Sequence, residues 1–162
     1  MKTLYLVRHA KSSWNFDKLN DFQRPLGKRG RRDVRRMGIY VKKNVPAPDL
    51  IITSAASRAF YTALFLADAW EYPEENIIAS EVLYHADVHQ FESFVKEVKD
   101  FSTVAVFAHN PGLTMFYNKL CSKLIDNIPT CGIVGLSFPI DSWRDLMKVQ
   151  GERLFFHIPK KI

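Results

Sequence analysis

The stretch Leu4-Tyr5-Leu6-Val7-Arg8-His9-Ala10 decides the fold. Four apolar residues rich in β-formers stop abruptly at a guanidinium and an imidazole. A short, uninterrupted apolar run reads as a strand covered on both faces, the pattern of an α/β sheet rather than of a sheet with one wet side. In such sheets ligands collect beyond the carboxyl ends of the strands. Arg8 and His9 therefore stand where a site is expected, although an Arg-His pair taken alone is more often only the place where a strand meets water.

A second stretch repeats the pattern. Thr103-Val104-Ala105-Val106-Phe107-Ala108 is another covered strand, and it ends at His109-Asn110-Pro111-Gly112. Asn110 is a good N-cap and Pro111 suits the first helical position, so His109 is predicted at a strand-to-helix junction. A third strand, Leu50-Ile51-Ile52-Thr53-Ser54, leads into a helix carrying Arg58 near its start. Three strand ends thus offer two arginines and two histidines, beside helix N-termini whose unpaired N–H groups favour anions. No carboxylate partner for the arginines is evident in the sequence.

Displacement at phosphorus needs that combination. The transferring phosphoryl group spreads negative charge over three oxygens, which fixed cations and hydrogen-bond donors stabilise. Arginine grips two oxygens at once and keeps its charge. A neutral histidine can be the nucleophile, forming a phosphoramidate that water later cleaves. Arg8 and Arg58 nearby would lower the His9 pKa by repulsion and so keep a ring nitrogen free for attack.

Arg8-His9-Ala10-Lys11-Ser12-Ser13-Trp14-Asn15 resembles the signature of the histidine phosphatase, or phosphoglycerate mutase-like, superfamily. Thr53-Ser54-Ala55-Ala56-Ser57-Arg58-Ala59 with Thr62-Ala63 is similar to its second motif, and His109-Asn110-Pro111-Gly112-Leu113 to its third. Among its members the chain most resembles the small phosphohistidine phosphatases of the SixA type, whose pattern also includes Asp21, Arg24-Pro25-Leu26, Arg29-Gly30 and Pro129-Thr130-Cys131-Gly132. The resemblance covers nearly the whole chain. It implies that His9 accepts the phosphoryl group and that Arg8, Arg58 and His109 bind and stabilise it, His109 acting as a charged or donor group rather than a second nucleophile. Asn15 matches a position that contacts phosphate in some relatives. Larger relatives place a glutamate as general acid where this chain has His85, in Leu83-Tyr84-His85. His85 is thus the candidate proton donor, against the plainer reading of a solvent-facing histidine before a helix. Release of an imidazole needs a dedicated acid less than release of an alkoxide does, which favours phosphoramidate substrates.

Strand-like runs at 4–8, 50–54, 77–83, 103–108, 133–138 and 152–158 alternate with helical stripes at Val34, Met37 and Val41, at Phe60, Ala63, Leu64 and Ala67, at Phe91, Phe94, Val95 and Val98, and from Leu113 to Leu124. The prediction is a three-layer α/β/α sandwich with a mainly parallel sheet of about six strands, the last free to lie antiparallel at an edge. At 162 residues one domain spanning 1–162 is expected. Only one helix fits between Leu83 and Thr103, so no cap insertion is expected over the pocket. An open pocket admits a phosphorylated side chain on a protein surface better than it encloses a small sugar phosphate.

Composition narrows the partners. No apolar run approaches the ~18 residues of a membrane span, and Arg8 interrupts the N-terminal run before a secretory core of about 7–15 residues can form. A cytoplasmic protein without membrane contact is expected. Cys121 and Cys131 fall in an apolar stripe and at a strand start, as reduced packing residues would, and neither sits at the glycine-rich anion loop of a cysteine phosphatase. No cofactor is called for. His85 and His89 share a helical spacing but lack the glutamate of a zinc-protease motif, so no metal is expected. The net charge is +6, yet Arg24 to Lys43 holds nine basic residues and only Asp33 as an acid, leaving the rest of the chain at −2. That run is either the solvated face of an amphipathic helix, a docking surface for an acidic phosphoprotein, or, with no interleaved aromatics to favour it, a nucleic-acid surface. The function expected is a metal-independent phosphatase working through phospho-His9 on phosphohistidine in a signalling or phosphotransfer protein. A phosphatase of small phosphate esters and a non-enzymatic phosphoprotein- or nucleic-acid-binding protein are the alternatives.

Overall fold

A computed structural model describes residues 1–162. Six strands form one sheet: β1 (Lys2–Arg8), β2 (Leu50–Ser54), β3 (Ile78–Ser80), β4 (Thr103–Ala108), β5 (Ile133–Phe138) and β6 (Glu152–His157), in the spatial order β3-β2-β4-β1-β5-β6. Four α-helices accompany them: α1 (Lys28–Asn44), α2 (Ser57–Ala69), α3 (Val88–Lys96) and α4 (Gly112–Leu120).

The alternation of side chains along the central strands sorts the core into two halves. Leu4 and Leu6 of β1, with Val104 and Val106 of β4 and Val134 and Leu136 of β5, belong to a cluster of 23 buried residues completed by Phe91 and Val95 of α3 and by Leu113, Phe116 and Leu120 of α4. Tyr5, Val7, Ala105, Phe107 and Ile133 point the other way, into a cluster of 17 that includes Val34, Met37 and Val41 of α1 and Ala63, Leu66 and Ala67 of α2. Two helices on each face of one sheet make the expected three-layer α/β/α sandwich. This is why the apolar run of β1 is unbroken: there is no wet side to serve.

Strands β1, β2, β3 and β4 are mutually parallel, and β6 is the far edge, paired antiparallel with β5. The antiparallel pairing reaches one strand further inward than the sequence suggested, because β5 also runs against β1. Some boundaries shift as well. The run 77–83 is strand only at Ile78–Ser80 and then tightens into a 3-10 turn at Glu81–Leu83. Helix α4 ends at Leu120, leaving Leu124 exposed rather than in the stripe. In α2 the buried line runs through Ala59, Ala63, Leu66 and Ala67, with Phe60 and Leu64 half-buried at its borders. Asn110 is not the N-cap: α4 starts at Gly112 after a cis Asn110–Pro111 bond, and Pro111 occupies the cap position. The Asn110 side chain still serves the helix from one residue back, its Oδ1 accepting from Thr114 N–H (3.2 Å) and Oγ1 (2.7 Å).

Two glycines allow the segments that follow the strands to close on one another. A Cβ at Gly30 would collide with the carbonyl of Lys11, and one at Gly112 with the carbonyl of Ala86. Gly38, inside α1, differs, because a Cβ there meets Ala69 Cβ at an ordinary 3.4 Å. In urea denaturation at unchanged slope, Gly38→Ala is therefore expected to stabilise the fold by about 0.5–1 kcal/mol through helix propensity. Gly112→Ala is expected to destabilise it by about 1–3 kcal/mol, as overpacking does. Equal effects of the two substitutions would refute this packing.

Candidate active site

The site follows from strand register. Arg8 of β1 lies opposite Ala108 of β4, so the next residue of each strand, His9 and His109, emerge side by side. His9 N–H continues the ladder to the Ala108 carbonyl at 3.1 Å, and the two rings lie 5.1 Å apart, centroid to centroid. Strand β2 ends one place away, and its Ser54 Oγ meets His109 Nε2 at 2.8 Å. The turn after β2 begins α2, which brings Arg58 in on its first turn. Exposure is 9% for His9, 4% for Arg58 and 5% for His109.

Hydrogen bonds assign the protons on the two rings. His9 Nδ1 lies 2.7 Å from the carbonyl of Ala10. A carbonyl only accepts, so Nδ1 carries the proton and the lone pair is on Nε2. Ser54 Oγ already accepts from Ala56 N–H at 3.2 Å. No other acceptor meets the Ser54 hydroxyl proton, so donation to His109 Nε2 is the arrangement that satisfies it, and in that arrangement His109 Nδ1 is an N–H donor. That nitrogen, Arg8 Nε and Arg58 Nε are buried and have no hydrogen-bond partner. Buried N–H groups left unpaired are costly and uncommon in proteins. Here three of them belong to the three residues expected around an oxyanion.

Arg8 Nη1 and both Nη atoms of Arg58 are tied to the protein. Arg8 Nη1 donates to the carbonyl of Ile128 at 3.0 Å, in the segment that precedes β5. Further along that segment, Cys131 N–H is shared between the carbonyls of Arg8 (3.1 Å) and His9 (3.0 Å), clamping the dipeptide from the β5 side. Arg58 Nη1 donates to the Asp21 carbonyl at 2.6 Å and Nη2 to Asp21 Oδ2 at 3.0 Å. Thr62 Oγ1 accepts from Ala10 N–H at 2.9 Å and donates to the Arg58 carbonyl at 2.7 Å, locking the loop after β1 to α2.

Asp21 corrects the reading that the arginines lack a carboxylate partner. It bonds Arg58, Arg24 (Nε 3.1 Å, Nη2 2.9 Å, both to Oδ1) and the hydroxyl of Tyr84. Arg24, itself buried, reaches back to Ser12 Oγ at 2.6 Å and stacks 3.4 Å from the ring centroid of the exposed Trp14. The signal for this turn was available in the sequence. Asn20 and Gln23 form a reciprocal capping box around Asp21, and a polar residue followed three places on by Gln is the mark of one.

The electrostatics suit a neutral nucleophile. Burial is the main cause that lowers the His9 pKa to about 4, with Arg58, Arg8 and Arg24 adding repulsion and the bond to Ala10 opposing. The repulsion by Arg58 and Arg8 that the sequence predicts is present, and desolvation exceeds it. His109 falls to about 3, again mainly by burial, then through His9, Arg58 and His85. His109 in the ligand-free protein is thus a neutral donor and not a charged group. Burial alone would raise the Asp21 pKa, but the hydrogen bonds from Tyr84, Arg24 and Arg58 outweigh it and hold the carboxyl well below its usual range.

The two secondary candidates lie further out. Asn15 sits in an exposed stretch, with its backbone N–H on Ser13 Oγ at 3.1 Å and its side chain in no hydrogen bond. His85 is exposed at a left-handed φ of 98° and stacks on Tyr84 at 3.9 Å, its ring 6.4 Å from that of His109. No three His, Cys, Asp or Glu side chains gather as a metal-ligand set. No helix is long and apolar enough to cross a membrane.

Imidazole signals followed by NMR are expected to show His9 and His109 neutral from pH 7 down to 5, since both values lie below that window. Because unfolded histidine takes up protons near pH 6.5, unfolding free energy should fall as pH drops from about 6.5 towards 4. His9 titrating near 6.5 would overturn the desolvated site.

Known proteins share this fold. The chain aligns over 95% of its length with the whole of an uncharacterized protein of Mycobacterium leprae at 29% identity. It superposes on the protein histidine phosphatase SixA complexed with tungstate with a TM-score of 0.82 and 18% identity, covering 98% of this chain and 97% of the other. A protein assigned as phosphohistidine phosphatase SixA from Agrobacterium tumefaciens gives 0.84 and 22%, covering 98% of each chain. A mycobacterial glucosyl-3-phosphoglycerate phosphatase shares the fold at 0.72 and 14%, over 96% of this chain and 98% of that one. Residues 4–102, which carry His9, Asp21 and Arg58, match the histidine phosphatase superfamily (branch 1). By that match over more than half of its length, the chain belongs to the histidine phosphatase superfamily.

Proposed function

We propose that this protein is a metal-independent phosphohistidine phosphatase in which His9 carries the phosphoryl group in transit. The reading rests on one observation: the lone pair of a buried, neutral His9 Nε2 lies in a site with three unpaired N–H donors, Arg8 Nε, Arg58 Nε and His109 Nδ1. At a pKa of about 4, roughly one ring in a thousand is protonated at pH 7, against about a quarter for an unperturbed histidine.

In the first step Nε2 forms a P–N bond while the bond from phosphorus to the substrate ring nitrogen breaks. The departing imidazole keeps that electron pair and takes a proton from solvent, with exposed His85 the nearest candidate relay. In the second step a water oxygen attacks phosphorus, and Nε2 leaves with its electron pair as inorganic phosphate forms. Arg8, Arg58 and His109 hold the equatorial oxygens in both steps. Asn15 would meet the substrate from the exposed loop only once it is bound.

Substrate class follows from access and from leaving group. The segment between β3 and β4 holds a 3-10 turn and α3, with no further helix to enclose a metabolite, so a single capless domain leaves the site open to a protein surface. A cytoplasmic setting suits two unpaired, buried cysteines. A second reading, hydrolysis of small phosphate esters, has in its favour the shared fold of the glucosyl-3-phosphoglycerate phosphatase.

Wild-type protein is expected to hydrolyse an activated aryl phosphate at the same rate with and without EDTA, and His9→Ala to abolish turnover. Arg58→Ala should lower kcat about 10²–10³-fold, the range for a lost oxyanion donor. Acid-labile, base-stable phosphate should be trapped on the protein by rapid quench and should vanish in His9→Ala. Hydrolysis surviving in His9→Ala, or lost on chelation, would refute the mechanism. Among phosphohistidine proteins and sugar phosphates, kcat/KM should favour the former, and the reverse order would establish the second reading.

A further inference from the structure

The basic run singled out in the sequence does not stay on its helix. A groove of about 530 Å³ is lined by Arg29, Arg32 and Arg36 of α1, by Lys11 from the loop after β1, by Lys160 from the C-terminal turn, and by Arg8. Arg8 is thus a wall of both the groove and the catalytic cluster. Lys28, Arg31 and Arg35 extend the same face along α1. The one acidic side chain here is Asp33, 7% exposed, lying 3.8 Å from Arg29 Nε and 3.6 Å from Arg32 Nε, and Arg36 Nη2 donates to the Ile162 oxygen at 3.1 Å. These nine cations and one anion carry +8, two more than the net charge of the whole chain.

A helix that merely solvates one face has no need to draw cations from three other parts of the chain. Crowding like charges costs stability, and the side chains at its centre remain open, Arg29 at 55% and Arg32 at 66% exposure. From Lys28 to Arg36 the array runs about 12 Å along the helix, from the helix rise alone. A metabolite with one extra anionic group would engage a small part of it. A line of carboxylates on a protein would engage it all, and a nucleic acid would lack stacking platforms, since no aromatic ring lines the groove.

Resting on the phosphohistidine reading above, we propose that this groove docks acidic residues flanking the phosphorylated histidine of a protein substrate, delivering that histidine past Arg8 to His9. The groove selects the partner, while the catalytic cluster treats every phosphoryl group alike.

The test uses the full chain and two short synthetic peptides, each with one phosphohistidine, flanked by Glu and Asp in one and by Ser and Asn in the other. At low ionic strength the acidic peptide should show about tenfold higher kcat/KM, and the preference should collapse at about 0.5 M salt as screening shortens the reach of the charges. The double variant R32E/K160E takes one cation from each of two separate segments. It should reverse the preference, the neutral variant R32Q/K160Q should reduce it, and both should hydrolyse an aryl phosphate within about twofold of wild type, as charges acting on encounter alone would. That unchanged small-substrate rate also shows that the variants are folded. Equal kcat/KM for the two peptides, or a preference indifferent to the variants, would overturn the docking surface and leave the phosphatase intact. Competition by a single-stranded oligonucleotide stronger than by the unphosphorylated acidic peptide would overturn it in favour of nucleic acid. Failure to hydrolyse either peptide or the aryl phosphate would instead sink the phosphatase reading itself.

Discussion

The proposed chemistry depends on one hydrogen bond, which His9 Nδ1–H donates to the carbonyl of the residue that follows it. That bond fixes the tautomer, and the tautomer puts the lone pair on the nitrogen that faces the site. It can form only because the chain turns sharply after β1, with Ala10 N–H held by Thr62 and Cys131 N–H holding the carbonyls of Arg8 and His9. The anchors come from two separate elements, α2 and the approach to β5. The sandwich therefore acts as a jig whose working end is one imidazole.

The same rigidity keeps cations and neutral imidazoles in contact. Two arginines beside two buried histidines repel any proton that would settle on the rings, and burial repels it more. A looser site would relieve the crowding by letting water in. Here Asp21 offsets part of the charge of Arg58 and Arg24 while leaving Arg58 Nε unpaired. Hydrogen-bonded to both arginines and to Tyr84, the carboxylate orients the cations and is a poor proton donor, because the same bonds that orient it keep it ionised.

Much of this could be read from residue order. The two-sided burial of β1 and β4 is written in their unbroken apolar runs, and the adjacency of His9 and His109 follows once both are seen to end parallel strands. The direction of β5 was not legible, because its apolar residues satisfy two covered faces whichever way the strand runs. Asp21 was missed as a partner for a related reason: a 3-10 turn is too short to show periodicity, and only the Asn20–Gln23 pair marks it. The Asn110 cap failed because the bend at Pro111 moved the helix start one turn position onward while keeping the amide close enough to serve. Whether His109 is a charged group or a neutral donor was not legible, because pairing patterns reveal neighbours but not desolvation, and desolvation sets its state.

The reversed course of β5 has a consequence for how such a molecule can diversify. Because that strand begins at the end of the sheet where its neighbours finish, the segment from Cys121 to Gly132 enters the candidate site as an arm braced on α4 through Asn118 and Thr114 and joined to the Arg8-His9 dipeptide by backbone contacts at Cys131 and a carbonyl at Ile128. Insertions or altered composition along the outer part of that arm change what can approach the groove without disturbing the imidazole it helps to hold. Sequence change confined to the exposed part of that arm can thus reshape the groove wall at Asn127, Pro129 and Thr130 while the ladder that seats the two imidazoles stays as it is.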